Sequence, residues 1–288
     1  MEDFAGGPFL LTTIVGAVVG FVAGMFGIGG GFLIVPILNI ALGFPMQIAV
    51  GSAACQVLGP ATTSVLARRV MAQDFRLPLI VTGGLLMGVF AGAAVLHRLM
   101  TPSADVEFAS RTGEAIVLMI YLVLLLALGG FALWESGRVL AQRPVRTGWM
   151  AHWNLPPYAV MRGLPQPMSI TILAWFGLFV GFVSGFLGIS GGLLLLPGLI
   201  YLLGLAWHQA VTTSTLIVWL VAFQSTIAHS IHDHIRLPIV LGLLLGGTVG
   251  ARMGVDWSRG LSAAHGRKSF AWLALGTAAM IGVKLVLY

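Results

Sequence analysis

The chain has 288 residues, of which 58% are hydrophobic and only 8% are charged. A soluble domain has about 25% charged residues, so this chain lacks the polar surface that water would require. We therefore expect an integral membrane protein with lipid as its solvent. The single cysteine, Cys55, excludes a disulfide framework and a multi-cysteine metal site.

The formal net charge of +6 comes mainly from arginines that stand singly or in pairs between apolar runs. This distribution is typical of the connections that orient a membrane protein, and not of a surface that binds phosphates. The expected partner is therefore the lipid bilayer, and no nucleic acid is expected.

Ten apolar segments follow one another along the chain. They span residues 8–26, 30–44, 46–67, 76–96, 114–135, 168–188, 191–205, 207–231, 235–255 and 269–288. Most reach the ~20 residues that cross the hydrocarbon core. The second and seventh are shorter, and each follows a glycine cluster and contains a proline, Pro36 or Pro197. The sequence predicts an all-α polytopic membrane protein with about 8–10 transmembrane segments, two of them short and interrupted.

The basic residues predict an orientation. With ten crossings and the N-terminus outside, eleven Lys and Arg residues fall in cytoplasmic connections and three fall outside. If the two short segments dip in and return, the best orientation gives eight inside and six outside. Since cytoplasmic connections carry an excess of Lys and Arg, the ten-crossing arrangement is favoured.

An internal repeat divides the chain. Residues 21–36, FVAGMFGIGGGFLIVP, return as residues 182–197, FVSGFLGISGGLLLLP, at a constant offset of 161. We predict a first transmembrane repeat over 8–135, a basic cytoplasmic linker over 136–167 and a second repeat over 168–288. Five segments per half is an odd number, so the halves would be inverted relative to each other, as in many secondary transporters.

The glycine runs that open the short helices predict an anion site. A helix start leaves several N–H groups unpaired, and in hydrocarbon these must face a cavity, water or a ligand. The helix dipole favours an anion there, and glycine lets the anion approach the backbone. The residues concerned are Gly29, Gly30, Gly31, Gly191 and Gly192. The alternative is that both runs are only tight packing points between helices.

Hydroxyl and amide groups follow each glycine run and could complete the shell around an oxyanion. The candidates are Ser52, Gln56, Ser190, Thr213 and Ser214, with Ser52 and Thr213 at equivalent positions of the repeat. The alternative for each hydroxyl is a bond to its own backbone or to a neighbouring helix.

Charged groups are absent from the predicted midplane. All nine acidic residues fall in loops or at segment ends, and no arginine lies clearly at the midplane. A bound anion would therefore depend on backbone N–H groups, helix dipoles and hydroxyls. Proton coupling, if the protein uses it, would involve His208, His229 or Lys284, although such residues more often serve packing or interface roles.

A catalytic alternative comes from Gly188-Ile189-Ser190-Gly191, which matches the Gly-x-Ser-Gly of intramembrane serine proteases. Histidines in the next segment could serve as bases. The first repeat has Gly29 in place of Ser190, which argues against a conserved nucleophile in the pattern.

Metal and nucleotide cofactors are not expected. His229, His232 and His234 beside Asp233 have the composition of a metal cluster, but their place at a segment end favours a solvated loop. The chain has no Gly-x-x-x-x-Gly-Lys-Ser/Thr motif for ATP, and Phe32 stands where a dinucleotide fingerprint needs its third glycine.

The doubled glycine pattern, followed by Leu-Gly and Ala-Val, resembles the TauE/SafE sulfite-exporter family over nearly the whole chain. The two copies are Gly24 to Pro36, Leu42-Gly43 and Ala49 to Ser52, then Gly185 to Pro197, Leu203-Gly204 and Ala210 to Ser214. The family often has Thr-Ser after Ala-Val-x, which the second copy keeps as Thr213-Ser214 and the first replaces with Ser52-Ala53. Ser190 also replaces a usual glycine.

The resemblance implies a multi-pass permease of the bacterial inner membrane for sulfite, sulfonates, thiosulfate or other small, mostly sulfur-containing anions. The sequence therefore predicts a secondary transporter or facilitator of a small inorganic or organic oxyanion, and not an enzyme. Two alternatives remain, an intramembrane serine hydrolase that uses Ser190 and a membrane scaffold that transports nothing.

Overall fold

The structure is a computed structural model that describes residues 7–68, 75–100, 106–140, 148, 155–160, 167–261 and 263–287. The helices of the first half are α1 (Gly7–Phe26), α2 (Gly31–Pro36), α3 (Met46–Gln56), α4 (Leu58–Ala67), α5 (Arg76–Met100) and α6 (Val106–Leu140). Those of the second half are α7 (Ile170–Leu187), α8 (Gly192–Pro197), α9 (Trp207–Ser230), α10 (Leu237–Ser258) and α11 (Ala263–Leu287). Strands β1 (Tyr158–Ala159) and β2 (Met168–Ser169) form a small antiparallel ribbon within the region between the halves.

The prediction of an all-α polytopic membrane protein is confirmed. In the described part of the chain, eight spans are long and apolar enough to cross a membrane. The two short helices each continue as a π-helix, Ile37–Ala41 after α2 and Gly198–Leu202 after α8. Each combined helix has 11 residues, or ~16 Å at the usual rise, about half the thickness of the hydrocarbon core.

The third predicted segment is broken in the structure, between α3 and α4 at Val57. Pro60 has no N–H with which to bond the Gln56 carbonyl, so the helical ladder is interrupted there. The equivalent helix of the second half, α9, has Val221 at this position and is continuous.

Helices of the two halves pack against each other through close glycine contacts. A Cβ at Gly16, Gly20 or Gly24 of α1 would collide with the backbone of Leu243, Gly247 or Ala251 of α10, in that order. The repeat-equivalent glycines of α7, at 177, 181 and 185, meet residues 81, 85 and 89 of α5 in the same way. Small residues let membrane helices approach at the backbone, so the two halves are interlocked by α1–α10 and α5–α7 pairs.

The order of these contacts fixes the helix directions. The α10 residues that contact α1 follow one another in the same order as their partners, so α1 and α10 are parallel. Helix α10 is also parallel to α3–α4, because the Arg236 N–H before its start bonds Ser52 and the Arg259 side chain after its end bonds the Ala67 carbonyl. Helices α1 and α3–α4 therefore run the same way, and residues 27–45 must lead back between them. These directions favour the inverted five-plus-five arrangement, which stays a prediction with respect to the membrane.

Helices α6 and α11 run antiparallel and are joined by an ion pair towards each end. Arg267 contacts Glu135 at 2.7 Å, and Lys284 contacts Glu114 at 2.6 Å. The Lys284 Nζ also donates to the Asn39 side chain at 2.8 Å, which ties α11 to the π-helix after α2. Glu135 is buried, so this pairing offsets part of the desolvation of its carboxylate.

The interlock can be tested with two adjacent glycines of α5. A Cβ at Gly84 would collide with the Ala174 carbonyl oxygen, whereas a Cβ at Gly83 has no atom within 4 Å. We expect Gly84→Ala to destabilise the protein by about 1–3 kcal/mol through overpacking. Gly83→Ala should be neutral or stabilise the helix by up to ~1 kcal/mol. Melting temperatures of the purified variants measure this, and equal effects of the two would contradict the α5–α7 packing.

Candidate functional site

Two glycine turns, residues 27–31 and 188–192, connect the long first helix of each half to the short one. In the first turn Gly27, Gly29 and Gly30 have left-handed backbone, with φ of 68°, 78° and 75°. The repeat-equivalent residues of the second turn, Gly188, Ser190 and Gly191, have φ of 69°, 54° and 70°. The two turns therefore share one backbone conformation, which glycine adopts without steric cost.

The two turns face each other in the core. A Cβ at Gly31 would collide with the Gly188 carbonyl oxygen, and a Cβ at Gly192 would collide with that of Ile28. A Cβ at Gly29 would lie 3.5 Å from the Ser190 Cβ. Both turns are buried. The structure thus brings together the six turn positions that the sequence singled out, Gly29, Gly30, Gly31, Ser190, Gly191 and Gly192.

The turns present unpaired backbone donors. The N–H groups of residues 28–32 and 189–193 make no backbone hydrogen bond to any residue that the structure describes. Successive N–H groups in alternating right- and left-handed conformations form concavities that bind anions. Buried N–H groups are rarely left unpaired, so this arrangement is one that a ligand would complete.

Two buried side chains add polar groups without partners. Neither the Gln56 amide nor the Ser190 hydroxyl makes a hydrogen bond within the described residues, and both side chains are fully buried. Gln56 directly precedes Val57 and lies against α10, where a Cβ at Gly247 would come within 2.6 Å of its Nε2. An unpaired buried amide costs about 1–3 kcal/mol, which points to a functional reason for its presence.

The other predicted hydroxyls are placed differently. The Ser214 Oγ donates to the Gly27 carbonyl at 2.8 Å, so it braces the first turn from the second half of the chain. The Ser52 Oγ accepts the Arg236 N–H at 3.2 Å, beside the start of α10. Thr213 is half-buried next to Ser214. Ser52 thus bonds the backbone at the start of α10, and the Ser214 side chain bonds the backbone of the first turn.

Three further polar residues were not among the predicted site residues. Ser64 and Ser225 stand at the offset of 161, and both are buried with hydroxyls that find no partner in the described structure. Arg68, assigned to a cytoplasmic connection, reaches inward so that its Nη2 donates to the Gly24 carbonyl at 2.7 Å. Burial, followed by repulsion from Arg259, lowers the Arg68 pKa to about 10, which leaves it charged at neutral pH. The shared offset was the available signal for the serines.

The centre is closed in this structure. A Cβ at Gly29 would lie 2.7 Å from the Val218 Cγ1 and 3.0 Å from the Val57 Cγ1, so these equivalent valines fill the space beside the turns. Access for an anion therefore requires the valine-bearing helices to move. A polar cavity of about 410 Å³ lies elsewhere, beside the Lys284–Glu114 pair and Asn39.

Exchanging Ser190 for glycine removes both its hydroxyl and its backbone strain, whereas exchange for alanine removes the hydroxyl alone. Left-handed backbone costs a residue other than glycine about 1–2 kcal/mol, so Ser190→Gly should raise stability by ~1 kcal/mol. Anion flux should fall by no more than about fivefold, the equivalent of one hydrogen bond of ~1 kcal/mol. Ser190→Ala keeps the strain and is the matched control. Loss of all function in both variants would instead support serine catalysis.

Interrupted helices that meet in the core of a duplicated, polytopic helical protein are a recurrent build of secondary transporters. The chain belongs to the sulfite exporter TauE/SafE family, whose sequence profile matches residues 12–281. It is 26% identical over 263 residues to the probable membrane transporter protein YunE of Bacillus subtilis, covering 87% of this chain and 89% of that protein. It is 28% identical over 257 residues to a probable membrane transporter protein of Xylella fastidiosa, covering 88% and 87%. No solved structure matches the chain significantly.

Proposed function

We propose that the protein is a secondary transporter or facilitator of small sulfur-containing oxyanions, of the sulfite, sulfonate or thiosulfate type. The observation that carries this proposal is the pair of facing turns with unpaired N–H groups. Family membership and the names of the relatives support a membrane transporter. The family name supports a sulfur oxyanion, and we place the protein in the bacterial inner membrane by the same resemblance.

The chemistry of the turns suits a compact oxyanion. Each anion oxygen accepts several hydrogen bonds, and backbone N–H groups from two opposed turns can donate to it from both sides. Two helix starts add positive potential without a charged side chain at the centre. An anion held in this way can also leave, because the Arg68 cation bonds the Gly24 carbonyl before the first turn and is not part of either turn.

Serine hydrolysis has weaker support. The Ser190 Oγ makes no hydrogen bond to a histidine or any other base among the described residues. A general base must lie within about 2.6–3.2 Å of the proton that it removes. His208 is exposed, and His229 contacts His234, which leaves neither engaged with Ser190.

Flux into proteoliposomes tests the proposal. Purified protein is reconstituted, and uptake of labelled sulfite, thiosulfate, sulfate, methanesulfonate and an organic carboxylate is compared with protein-free vesicles. We expect at least one sulfur oxyanion to enter and the carboxylate to be excluded or slower. Flux of the carboxylate alone would overturn the substrate class. Absence of all flux, together with no thermal stabilisation by any of these anions, would favour a scaffold.

A further inference from the structure

Four histidines from both halves of the chain meet at the end of α9. The His97 Nδ1 of α5 lies 3.3 Å from the His234 Nε2, and the His229 Nδ1 of α9 lies 3.3 Å from the His234 Nδ1. The His232 ring stacks on His97 with centroids 4.3 Å apart. The expectation of a solvated loop is wrong for His229 and His234, which are 0% and 2% exposed because His97 and α3 cover them.

The nitrogens of these rings form a chain. His234 presents its Nε2 to His97 and its opposite nitrogen, Nδ1, to His229. A single metal ion needs ligand atoms that converge on one point. No group of three metal-binding side chains with that geometry occurs in the described residues. An imidazole donates through one nitrogen and accepts through the other, so a row of them can pass a proton along.

The chain leads from the surface into the protein. His97 and His232 are partly exposed, whereas His234 and His229 are buried. At its inner end, the His229 ring lies close to the Gly185 backbone of α7, and its Nε2 makes no hydrogen bond within the described residues. Gly185 lies three residues before Gly188, where the second glycine turn begins.

The internal repeat relates the inner end of the histidine chain to a contact in the first half. At the offset of 161, His229 corresponds to Arg68 and Gly185 corresponds to Gly24. In the first half, the charged Arg68 side chain donates to the Gly24 carbonyl at 2.7 Å. One glycine turn thus has a permanent cation behind it, and the other has a group that becomes a cation only when it binds a proton.

We propose that His229 is the proton-binding residue that couples anion transport to proton movement, supplied by the His97–His234–His229 chain. This inference rests on the proposed transport function. A proton on His229 reproduces beside the second turn the charge that Arg68 supplies beside the first. It raises the positive potential at the turn and strengthens anion binding there.

The transfer balances with one proton. A proton from water binds His97, and the His97 Nδ1 proton moves to the His234 Nε2. The His234 Nδ1 proton then moves to the His229 Nδ1, which leaves His229 with both nitrogens protonated. Its Nε2 proton then leaves towards the interior, and ring flips or reverse transfer restore the starting tautomers.

The groups around His234 keep it neutral at rest. Burial, then repulsion from His232 and His97, lowers the His234 pKa to about 4, and Asp233 opposes this effect. The α3 residue that packs against it, Gly51, carries no titratable group. Because the His234 pKa is lower in the folded protein, the contribution of neutral His234 to stability is fully present above about pH 6.5. It is lost as the pH drops towards 4. At neutral pH His234 is therefore neutral, as it must be to accept a proton from His97.

The test measures protons and anions together. Proteoliposomes with an internal pH dye receive inward gradients of labelled thiosulfate, sulfate and methanesulfonate, which do not themselves carry protons at neutral pH. We expect wild-type protein to move protons with the transported anion. His229→Gln should weaken anion flux and lower the number of protons moved per anion transported at least about tenfold, a difference of ~1.4 kcal/mol. His208→Gln, at the exposed start of the same helix, is the matched control.

The outcomes separate the two proposals. Anion flux without proton movement in the wild-type protein overturns the coupling and leaves the transport function standing. Absence of any anion flux overturns the transport function and the coupling with it. His97→Gln changes only the partly exposed end, so it tests the chain even if His229→Gln does not fold. An undiminished number of protons per anion in His97→Gln or in folded His229→Gln overturns the inference.

Discussion

Replacing Gly192 with alanine is expected to abolish transport and to destabilise the protein by about 3 kcal/mol. The added Cβ would collide with the Ile28 carbonyl oxygen, carbonyl carbon and Cα, all of them backbone atoms that no side-chain rotation can move aside. The two turns would separate, and their N–H groups could no longer donate together to the proposed anion. The melting temperature and the anion flux of the same preparation measure both effects.

Gly130→Ala is the matched control for this variant. Gly130 lies on an exposed face of α6, and a Cβ there has no atom within 4 Å. Alanine is a better helix former than glycine by ~1 kcal/mol, so this control should be as stable as the wild type or more so. Wild-type flux from folded Gly192→Ala would contradict the facing-turn site.

Replacing Gln56 with leucine is expected to raise stability while reducing transport at least about tenfold. The Gln56 amide is buried and unpaired in the described structure, so an apolar side chain of similar size removes a desolvation penalty of about 1–3 kcal/mol. The same change deletes the proposed donor to the anion, and a hydrogen bond to a charged group contributes about 1.5–3 kcal/mol. Thermal melting without ligand and flux with ligand therefore move in opposite directions.

Gln209→Leu controls for the loss of an amide alone, because Gln209 is exposed at the start of α9. It should leave both the melting temperature and the flux near wild-type values. If Gln56→Leu instead lowers stability and leaves flux intact, Gln56 is a packing residue with a structural partner, and its place in the site is lost.

The local features of the fold could be predicted because they depend on local sequence. Nine of the ten predicted segments correspond to continuous helical runs, and the two short ones begin at the glycine turns. The break at Val57 was missed although Gly59-Pro60 signals it, because a long apolar run outweighed one proline. Helix α6 extends beyond the predicted segment in both directions, since amphipathic turns outside the hydrocarbon core do not register as apolar.

The pairing of α1 with α10 and of α5 with α7 could not be predicted, because each pair joins residues from opposite halves of the chain. The same limit hid the histidine chain, in which His97 comes from the first half. The two turns themselves were anticipated, because they depend on the local glycine pattern. The partners of the polar side chains were harder to predict, because the partner of a hydroxyl depends on packing. Ser214 and Ser52 were both predicted to face an anion, and each instead bonds a different backbone group.

The two turns also show how the repeat has diverged. Ser190 stands where the first turn has Gly29, and His229 stands where the first half has Arg68. The first half therefore has the charged Arg68 beside a turn whose left-handed positions are all glycine. The second half has the titratable His229 beside a turn in which Ser190 has a left-handed backbone. Such asymmetry lets two halves of similar backbone respond differently to one ligand, which a coupled transporter requires.

The position of a bound oxyanion tests the facing-turn site most directly. Selenite has the shape of sulfite, and its selenium is located by anomalous scattering in crystals of the complex. We expect a selenium peak between residues 28–32 and 189–193, within hydrogen-bond distance of their N–H groups. A peak confined to the cavity beside Lys284, with none between the turns, would contradict it.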